Sequence, residues 1–170
     1  QELPDTFIVR GLEAEYAFRM GSDLAPRDKP YSREEVAAAV ESVHPAIEVV
    51  DTRYTALRQG AFTIADSVND SHWLYGEGVS DWQSLDIVNA PVTMEVNGEV
   101  VVEGSGAEVL GDPMTSLLWL VNEHVGAREG LRAGQFVTAG SCTGLYKSPA
   151  GCTARATFGG LGELNVRFIA

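Results

Sequence analysis

The chain has 170 residues, 45% of them hydrophobic, and its 24 acidic side chains outnumber the 12 Lys and Arg to give a formal charge of −12. This length suffices for a substantial core, whereas the negative charge opposes binding to phosphate backbones and to anionic membranes. Charges or glycines interrupt every apolar run before the roughly 20 residues that a membrane-spanning helix needs. We therefore expect one globular domain over residues 1–170, with no nucleic-acid or membrane partner.

The first elements are a strand and a polar loop. Between Phe7 and Met20 two sets of residues alternate, which predicts a strand with Glu13 and Glu15 on the same face. The proline-bearing stretch 21–30 then predicts a loop.

A helix and a second strand follow. Ser32 and Glu35 have the spacing of a capping box, so a helix is expected to begin there and to end at Pro45. The segment Ile47–Tyr54 is almost wholly apolar at its start, which predicts a strand covered on both faces. Glu48 is the exception in that strand.

The middle of the chain contains a polar stretch and a hairpin. Residues 59–78 are expected to form a loop, with a helical turn, followed by a strand. Asn97 and Gly98 lie between the runs Val92–Val96 and Glu99–Val102, and this dipeptide supplies the two positive φ angles of a type I′ turn. The pattern predicts a β-hairpin.

The last third begins with a helix and ends in strands. Asp112 is a typical N-cap and Pro113 a typical first helical residue, and the helix is expected to stop at Gly126. Three strands are then predicted, at Gln135–Ala139, Cys152–Phe158 and Glu163–Ile169. The order indicates an α+β fold, mostly β, with a large mixed or antiparallel sheet.

The cysteine and histidine positions favour neither disulfides nor zinc. Cys142 and Cys152 lack C-x-x-C spacing and the three histidines are scattered. Reduced thiols in a cytoplasmic protein are therefore expected. The chain starts at Gln1 without a charged and then apolar leader, which is typical of a processed or excised piece that has no signal peptide.

Three glutamates are candidates for a metal site. Side chains two apart on a strand project from one face about 6.5–7 Å apart, so Glu13 and Glu15 can converge. Glu48 adds a third carboxylate in apolar surroundings, and one divalent cation would resolve their mutual repulsion. Hard oxygen ligands select Mg²⁺ or Mn²⁺.

A surface interpretation of the same residues stays open. Glu-x-Glu on a strand is also common at a solvent-facing acidic edge, and Glu48 could pair with Arg53. For Asp51 and Arg53 we favour a local ion pair or a turn anchor over a role in catalysis.

Seven motifs follow one another along the chain. They are G-L-E-A-E-Y-A-F at 11–18, H-P-A-I-E-V-V-D-T-R-Y at 44–54, I-A-D-S-V-N-D at 64–70, V-N-G-E-V-V at 96–101, G-S-G-A-E-V-L-G-D-P at 104–113, L-R-A-G-Q-F-V-T-A-G-S at 131–141 and L-G-E-L-N-V-R-F at 161–168. In this order they resemble the fumarylacetoacetate hydrolase superfamily, and the resemblance covers nearly the whole chain. Within it, W-L-V-N at 119–122 and G-S-C-T-G at 140–144 are most similar to the branch of 2-oxo-4-pentenoate hydratases and 4-oxalocrotonate decarboxylases.

The resemblance implies a mixed sheet rolled around an active site in which Glu13, Glu15 and Glu48 bind Mg²⁺ or Mn²⁺. It implies a lyase of aromatic-compound catabolism that hydrates a 2-oxo-alkenoate or decarboxylates an oxalocrotonate-type acid through a metal-stabilised enolate. An acylpyruvate or fumarylacetoacetate-type C–C hydrolase is the alternative. A non-catalytic member that binds a 2-oxo acid is the third hypothesis.

Four further residues match places where the family contacts its substrate. Ser141 and Thr143 lie in the turn that offers a hydroxyl and N–H groups to the substrate carboxylate, although each hydroxyl could equally satisfy its own turn. Asp66 and Asn69 lie in a polar loop beside the pocket, with ordinary loop hydrogen bonding as the alternative. Relatives in the family also imply a homo-oligomer.

The chain departs from the branch in two places. Hydratases and decarboxylases carry a further N-terminal segment that contributes a lysine and acidic residues near the reacting carbons, and the match here begins after it. The catalytic acid and base are therefore expected outside this sequence, and their identity is unknown. Gly151-Cys152 stands where many relatives have Gly-Asp.

Overall fold

The computed structural model describes residues 1–125 and 129–169, which form ten strands and three short α-helices. The strands are β1 Glu2–Pro4, β2 Gly11–Met20, β3 Val40–Val50, β4 Asp70–Tyr75, β5 Pro91–Val96, β6 Glu99–Ser105, β7 Phe136–Ser141, β8 Tyr146–Lys147, β9 Thr153–Phe158 and β10 Gly162–Ile169. The helices are α1 Arg33–Ala39, α2 Ala61–Ala65 and α3 Pro113–Trp119, with 3₁₀ turns at Ser67–Asn69, Trp82–Ser84 and Gly106–Glu108 and a π-helical segment at Leu120–Val125.

The strands form two sheets. Sheet A has the order β1-β10-β9-β5-β6, and sheet B has the order β4-β3-β2-β7 with β8 also pairing with β2. The β1–β10 pair is parallel, whereas the other strand pairs described are antiparallel. The predicted α+β class with mostly strand and mixed pairing is confirmed, with two sheets in place of a single large one.

The main core lies between the sheets and is built on one face of β2. The side chains on that face are less than 2% exposed, and Tyr16 meets Phe158 of β9 edge-on at 5.1 Å between ring centroids. Fully burying a large apolar side chain contributes about 1.5–3 kcal/mol. The buried residues of this face are Leu12, Ala14, Tyr16, Phe18 and Met20. Alternation therefore directs Glu13 and Glu15 to the opposite face of sheet B.

The helix starts follow the predicted capping, but one predicted end is wrong. Ser32 Oγ accepts from Glu35 N at 3.2 Å, and Glu35 Oε2 accepts from Ser32 N at 2.8 Å, which completes the capping box. The helix ends at Ala39, however, and the chain enters β3 at Val40 without a loop. The prediction that Pro45 ends the helix is therefore wrong.

Pro45 lies inside β3, opposite Tyr16 of β2. Its carbonyl accepts from Gly76 N at 2.9 Å, just beyond the end of β4, and it has no N–H to return. The Gly76 carbonyl instead meets His44 Nδ1 at 2.9 Å. Proline is tolerated here because the N–H it lacks would face the place where pairing with β4 ends.

Other boundaries differ by a few residues from those predicted. The first long strand begins at Gly11 rather than Phe7, and the second runs over Val40–Val50 rather than Ile47–Tyr54. The hairpin is confirmed, since Asn97 and Gly98 have φ of 53° and 87°.

The helix capped by Asp112 is also confirmed at its start, where the side chain accepts from Met114 N. Its predicted stop at Gly126 lies outside the described residues. No helix among residues 1–125 and 129–169 has the length and apolar character needed to cross a bilayer.

Candidate metal centre

Three carboxylates converge on the face of sheet B that points away from sheet A. Glu13 of β2 lies directly opposite Glu48 of β3, and Glu15 follows two residues along β2. One oxygen from each of the three lies within 4.8 Å of the others. Like charges directly opposite each other on neighbouring strands destabilise a sheet, so this arrangement opposes folding when all three are ionised.

Burial and mutual repulsion act on the acidity of all three. Glu15 is only 3% exposed, and burial, followed by the Glu48 charge, raises its pKa to about 7. Burial raises the pKa of Glu13. Burial, followed by the charges of Glu13 and Asp70, raises the pKa of Glu48. Near neutral pH the Glu15 carboxyl is therefore partly protonated, and a cation would have to displace that proton.

No basic side chain within the described ranges forms an ion pair with these glutamates. Arg53, the alternative partner of Glu48, pairs instead with Asp66 at 3.1 Å. A cluster of hard oxygen donors that is partly desolvated and has no counter-charge fits a divalent cation such as Mg²⁺ or Mn²⁺.

An irregularity in β7 helps to hold Glu15. The β2–β7 register shifts between Glu15 and Ala17, and Ser141 lies opposite Glu15. At this bulge Gly140 has φ of +117°, an angle that strongly favours glycine, and its N–H donates to Glu15 Oε2 at 3.1 Å. Ser141 Oγ is buried and has no partner among the described residues. A buried hydroxyl without such a partner, opposite Glu15, is available to an oxygen ligand.

The turn after β7 is packed closely against β6. A Cβ on Gly104 would lie 1.9 Å from the carbonyl oxygen of Cys142, so only glycine allows this approach. Within the turn, Thr143 Oγ1 donates to Gly144 O at 3.3 Å and accepts from Ala14 N at 3.4 Å. The Thr143 hydroxyl thus makes contacts within and next to its own turn. Such local contacts are the alternative to substrate binding that the sequence analysis left open.

A cleft of about 420 Å³ adjoins the carboxylates, within the volume of small-molecule sites. Its lining residues are Glu48, Asp70, Trp73, Phe136 and Thr138. The sequence analysis missed four of these as site residues. The signal that could have found Trp73 is strand pairing, since it lies opposite Glu48 across β3 and β4.

Aromatic rings form one wall beside this cleft. Trp73 stacks on Tyr75 at 4.8 Å between centroids and meets Phe136 at 5.2 Å. His44 packs edge-on against Phe136 at 5.1 Å. The wall gives an apolar surface next to an acidic one, a combination suited to a small acid with a hydrocarbon body.

Asp66 and Asn69 do not belong to the lining of the cleft. Asp66 is 1% exposed, and Asn69 Nδ2 donates to its Oδ2 at 3.0 Å. The neighbouring Asp51 Oδ1 accepts from the N–H groups of Ile8 and Val9, which makes Asp51 a turn anchor as favoured from the sequence.

No protein-family model matches the chain. Among curated proteins, it is 33% identical over 136 residues to a 4-oxalocrotonate decarboxylase of Pseudomonas putida, covering 79% of this chain and 52% of that protein. It is 29% identical over 164 residues to a 2-keto-4-pentenoate hydratase of Burkholderia vietnamiensis, covering 96% and 62%. The chain thus spans about half to two thirds of the length of these relatives.

Solved structures agree with the sequence matches. The 4-oxalocrotonate decarboxylase of Pseudomonas putida G7, complexed with magnesium and adipate, superposes with a TM-score of 0.85 at 30% identity over 99% of this chain and 66% of that one. A putative fumarylacetoacetate hydrolase family protein of Yersinia pestis gives 0.76 at 19% identity over 99% and 77%, which shows a shared fold. The resemblance noted from the sequence motifs is confirmed.

Proposed function

Because the chain is a homologue of 4-oxalocrotonate decarboxylases and 2-keto-4-pentenoate hydratases and has the fold of the fumarylacetoacetate hydrolase family, we propose that it is the metal-binding part of a lyase. The reaction is the hydration of a 2-oxo-alkenoate or the decarboxylation of an oxalocrotonate-type acid. We place it in the breakdown of aromatic compounds, on the basis of the family resemblance.

The observation that carries the proposal is the convergence of Glu13, Glu15 and Glu48, within 4.8 Å, beside a cleft of about 420 Å³. In the proposed site these three carboxylates hold one Mg²⁺ or Mn²⁺. The bound ion would supply a Lewis acid that polarises the 2-oxo group. Three carboxylates alone repel an anionic substrate, so the cation also provides the charge that attracts it.

The remaining residues orient the substrate. Ser141 is the strongest candidate donor to the substrate carboxylate, because its buried hydroxyl lies next to Glu15 and has no partner in the part of the chain that the structure describes. We propose Thr143, in the same turn, as a second residue that contacts this carboxylate. Trp73 and Phe136 would contact the hydrocarbon part. Asp66 and Asn69 contact other protein groups, so we propose for them an indirect role rather than contact with the substrate.

The test uses the protein at its full natural length, because these 170 residues span only 52% to 62% of the relatives described above. It is incubated with Mg²⁺ and, separately, with a 2-oxo-alkenoate, an oxalocrotonate-type acid and an acylpyruvate. We expect a hydrated product or CO₂, lost with EDTA and with Glu48→Gln. Release of pyruvate with a second carboxylic acid would instead support a C–C hydrolase.

A second measurement separates an enzyme from a binding protein. Hydration and decarboxylation both need a proton delivered to carbon, so an enzyme should exchange the C3 protons of a bound 2-oxo acid with solvent. We expect this exchange by NMR in deuterated buffer with Mg²⁺. Binding of the acid without any exchange would support the non-catalytic alternative.

We also propose a homo-oligomer, on the basis of the family resemblance, and a cytoplasmic location, on the basis of the two cysteines that are expected to stay reduced. Light scattering on the purified full-length protein tests the oligomer directly. A single mass equal to one subunit would contradict it.

A further inference from the structure

Three consecutive residues ahead of β4 have left-handed backbone angles. Ser67, Val68 and Asn69 have φ of 53°, 58° and 67°, although such angles are uncommon outside glycine and costly for a β-branched residue. The Val68 side chain is 69% exposed, so no packing of its own compensates the strain. The surroundings must therefore hold this left-handed turn, residues 67–69, in place.

The carboxylate of Asp66 is the centre of those surroundings. Its Oδ2 accepts from Thr52 Oγ1 at 2.5 Å and from Asn69 Nδ2 at 3.0 Å, and its Oδ1 accepts from Arg53 Nη1 at 3.1 Å. The backbone N–H of Arg53 also donates to both carboxylate oxygens of Asp66. The Thr52 hydroxyl, and then Arg53, lower the pKa of Asp66, so the carboxylate is ionised at neutral pH.

Arg53 links this carboxylate to the next strand. Its Nη1 also donates to the Asp66 carbonyl at 3.0 Å, and its Nη2 donates to the carbonyl of Asp70 at 3.1 Å. On the other side of the turn, Asp51 N donates to Asn69 O at 2.9 Å. These contacts fix both ends of the left-handed turn relative to the end of β3.

The turn determines where β4 begins. Asp70 is the first residue of β4 and lies opposite Val50, beyond a register shift between Val49 and Val50. Asp70 and Trp73 both line the cleft, and Trp73 lies opposite Glu48. If the turn relaxed to right-handed angles, this wall of the cleft would move relative to the three glutamates.

We propose that Asp66 and Arg53 are positioning residues, which hold the strained turn at 67–69 and thereby set the cleft wall formed by Asp70 and Trp73. The inference rests on the proposed function, since it takes the cleft as the ligand site. It differs from direct substrate contact because Asp66 is 1% exposed and its oxygens are engaged by the protein. Strain held at a binding site by surrounding contacts is the expected pattern of such a role.

The first test compares Asp66→Asn with the unmodified protein by calorimetry. Mg²⁺ is titrated alone, and oxalate is then titrated with Mg²⁺ in excess. We expect Mg²⁺ affinity within about threefold of the unmodified protein and oxalate affinity lower by at least tenfold, a change equivalent to about 1.4 kcal/mol. The matched control is Asp86→Asn, which alters another carboxylate that accepts a backbone N–H, and it should change neither affinity by more than about twofold.

A rescue experiment separates positioning from contact. Val68→Gly removes the cost of positive φ without removing buried surface. The double variant Asp66→Asn/Val68→Gly should therefore bind oxalate at least threefold more tightly than Asp66→Asn alone. A ligand contact through Asp66 would not be restored in this way. Unchanged oxalate binding in Asp66→Asn, or no recovery in the double variant, overturns the proposal.

A milder variant covers the case in which Asp66→Asn does not fold. Arg53→Ala removes the guanidinium contacts of a side chain that is 60% exposed, and it should weaken oxalate binding at least threefold with Mg²⁺ binding retained. Equal oxalate binding in Arg53→Ala would again overturn the proposal. Failure of the unmodified protein to bind Mg²⁺ would instead contradict the proposed function itself.

Discussion

Glu15 is the most buried of the three glutamates of the proposed metal site. It is 3% exposed, its pKa is raised to about 7, and it accepts from the N–H of Gly140. The sequence predicts that it shares a face with Glu13, because alternation along one strand is local information. It does not predict that Glu15 is the most buried of the three, because that depends on the bulge where β7 pairs with β2.

The hydroxyl of Tyr16 is buried and unsatisfied, like that of Ser141. It has no hydrogen-bond partner among the described residues, and a buried polar group without a partner costs about 1–3 kcal/mol. Tyr16→Phe should therefore raise the free energy of unfolding, by about 1 kcal/mol, in urea denaturation.

Tyr31→Phe is the matched control for that substitution. The Tyr31 hydroxyl donates to Ala25 O at 2.7 Å, so its removal should lower stability by about 0.5–1.5 kcal/mol. A loss of stability in Tyr16→Phe as large as that in Tyr31→Phe would show that the Tyr16 hydroxyl has a partner in solution.

At the scale of elements, local patterns are predictable and strand boundaries are less so. The capping box at Ser32 and the hairpin at Asn97-Gly98 form as expected because their determinants lie within a few residues. The expected end of the helix at Pro45 is wrong because Pro45 lies in β3 and faces the end of β4. That position depends on tertiary structure, which the local sequence does not reveal. Trp73 was missed because its place beside Glu48 follows from the β3–β4 register.

The contact between β6 and the turn after β7 gives a test at this scale. Gly104→Ala places a Cβ 1.9 Å from the Cys142 carbonyl oxygen, so one of the two backbones must move. We expect a loss of about 1–3 kcal/mol or more in the free energy of unfolding, together with weaker oxalate binding because Ser141 lies next to Cys142.

Gly98→Ala is the comparison for that variant. A Cβ there meets open space, but the residue has φ of +87°, so only backbone strain of about 1 kcal/mol is expected. Oxalate binding should be unchanged. If Gly98→Ala and Gly104→Ala were equally destabilised and bound oxalate equally well, close packing under the turn would not matter for the site.

At the scale of the whole molecule, the fold places an apolar core on one face of sheet B and the acidic site on the other. The α+β class and the succession of elements along the chain are predictable, because alternation and turn residues recur along the whole chain. The division into two sheets is not, because it depends on β9 and β10 pairing with β5 and β1 across long separations. From the net charge we predict that nucleic acid is not a partner. Net charge does not, however, show where the three glutamates converge.

The acidic site should make stability depend on pH and on metal. The folded-state pKa of Glu15 is raised from 4.5 to about 7, so the unfolded chain loses its proton first as pH rises. The metal-free protein should therefore lose stability between about pH 4.5 and 7 and change little above that range through this group.

Saturating Mg²⁺ should remove that loss at pH 7.5. A ligand at 100 times its Kd that binds only the folded state stabilises it by about 2.7 kcal/mol, which thermal unfolding with Mg²⁺ and with EDTA can detect. A Tm independent of Mg²⁺ at millimolar concentration would contradict this expectation.

The most direct test of the central claim is the Mg²⁺ affinity of Glu48→Gln, measured by calorimetry at pH 7.5. The account predicts a loss of at least tenfold relative to the unmodified protein, because a neutral amide replaces one of three anionic ligands. Glu103→Gln, which changes an exposed glutamate on β6, should bind Mg²⁺ within about twofold of the unmodified protein. Equal Mg²⁺ affinity in Glu48→Gln and the unmodified protein would contradict a site built from Glu13, Glu15 and Glu48.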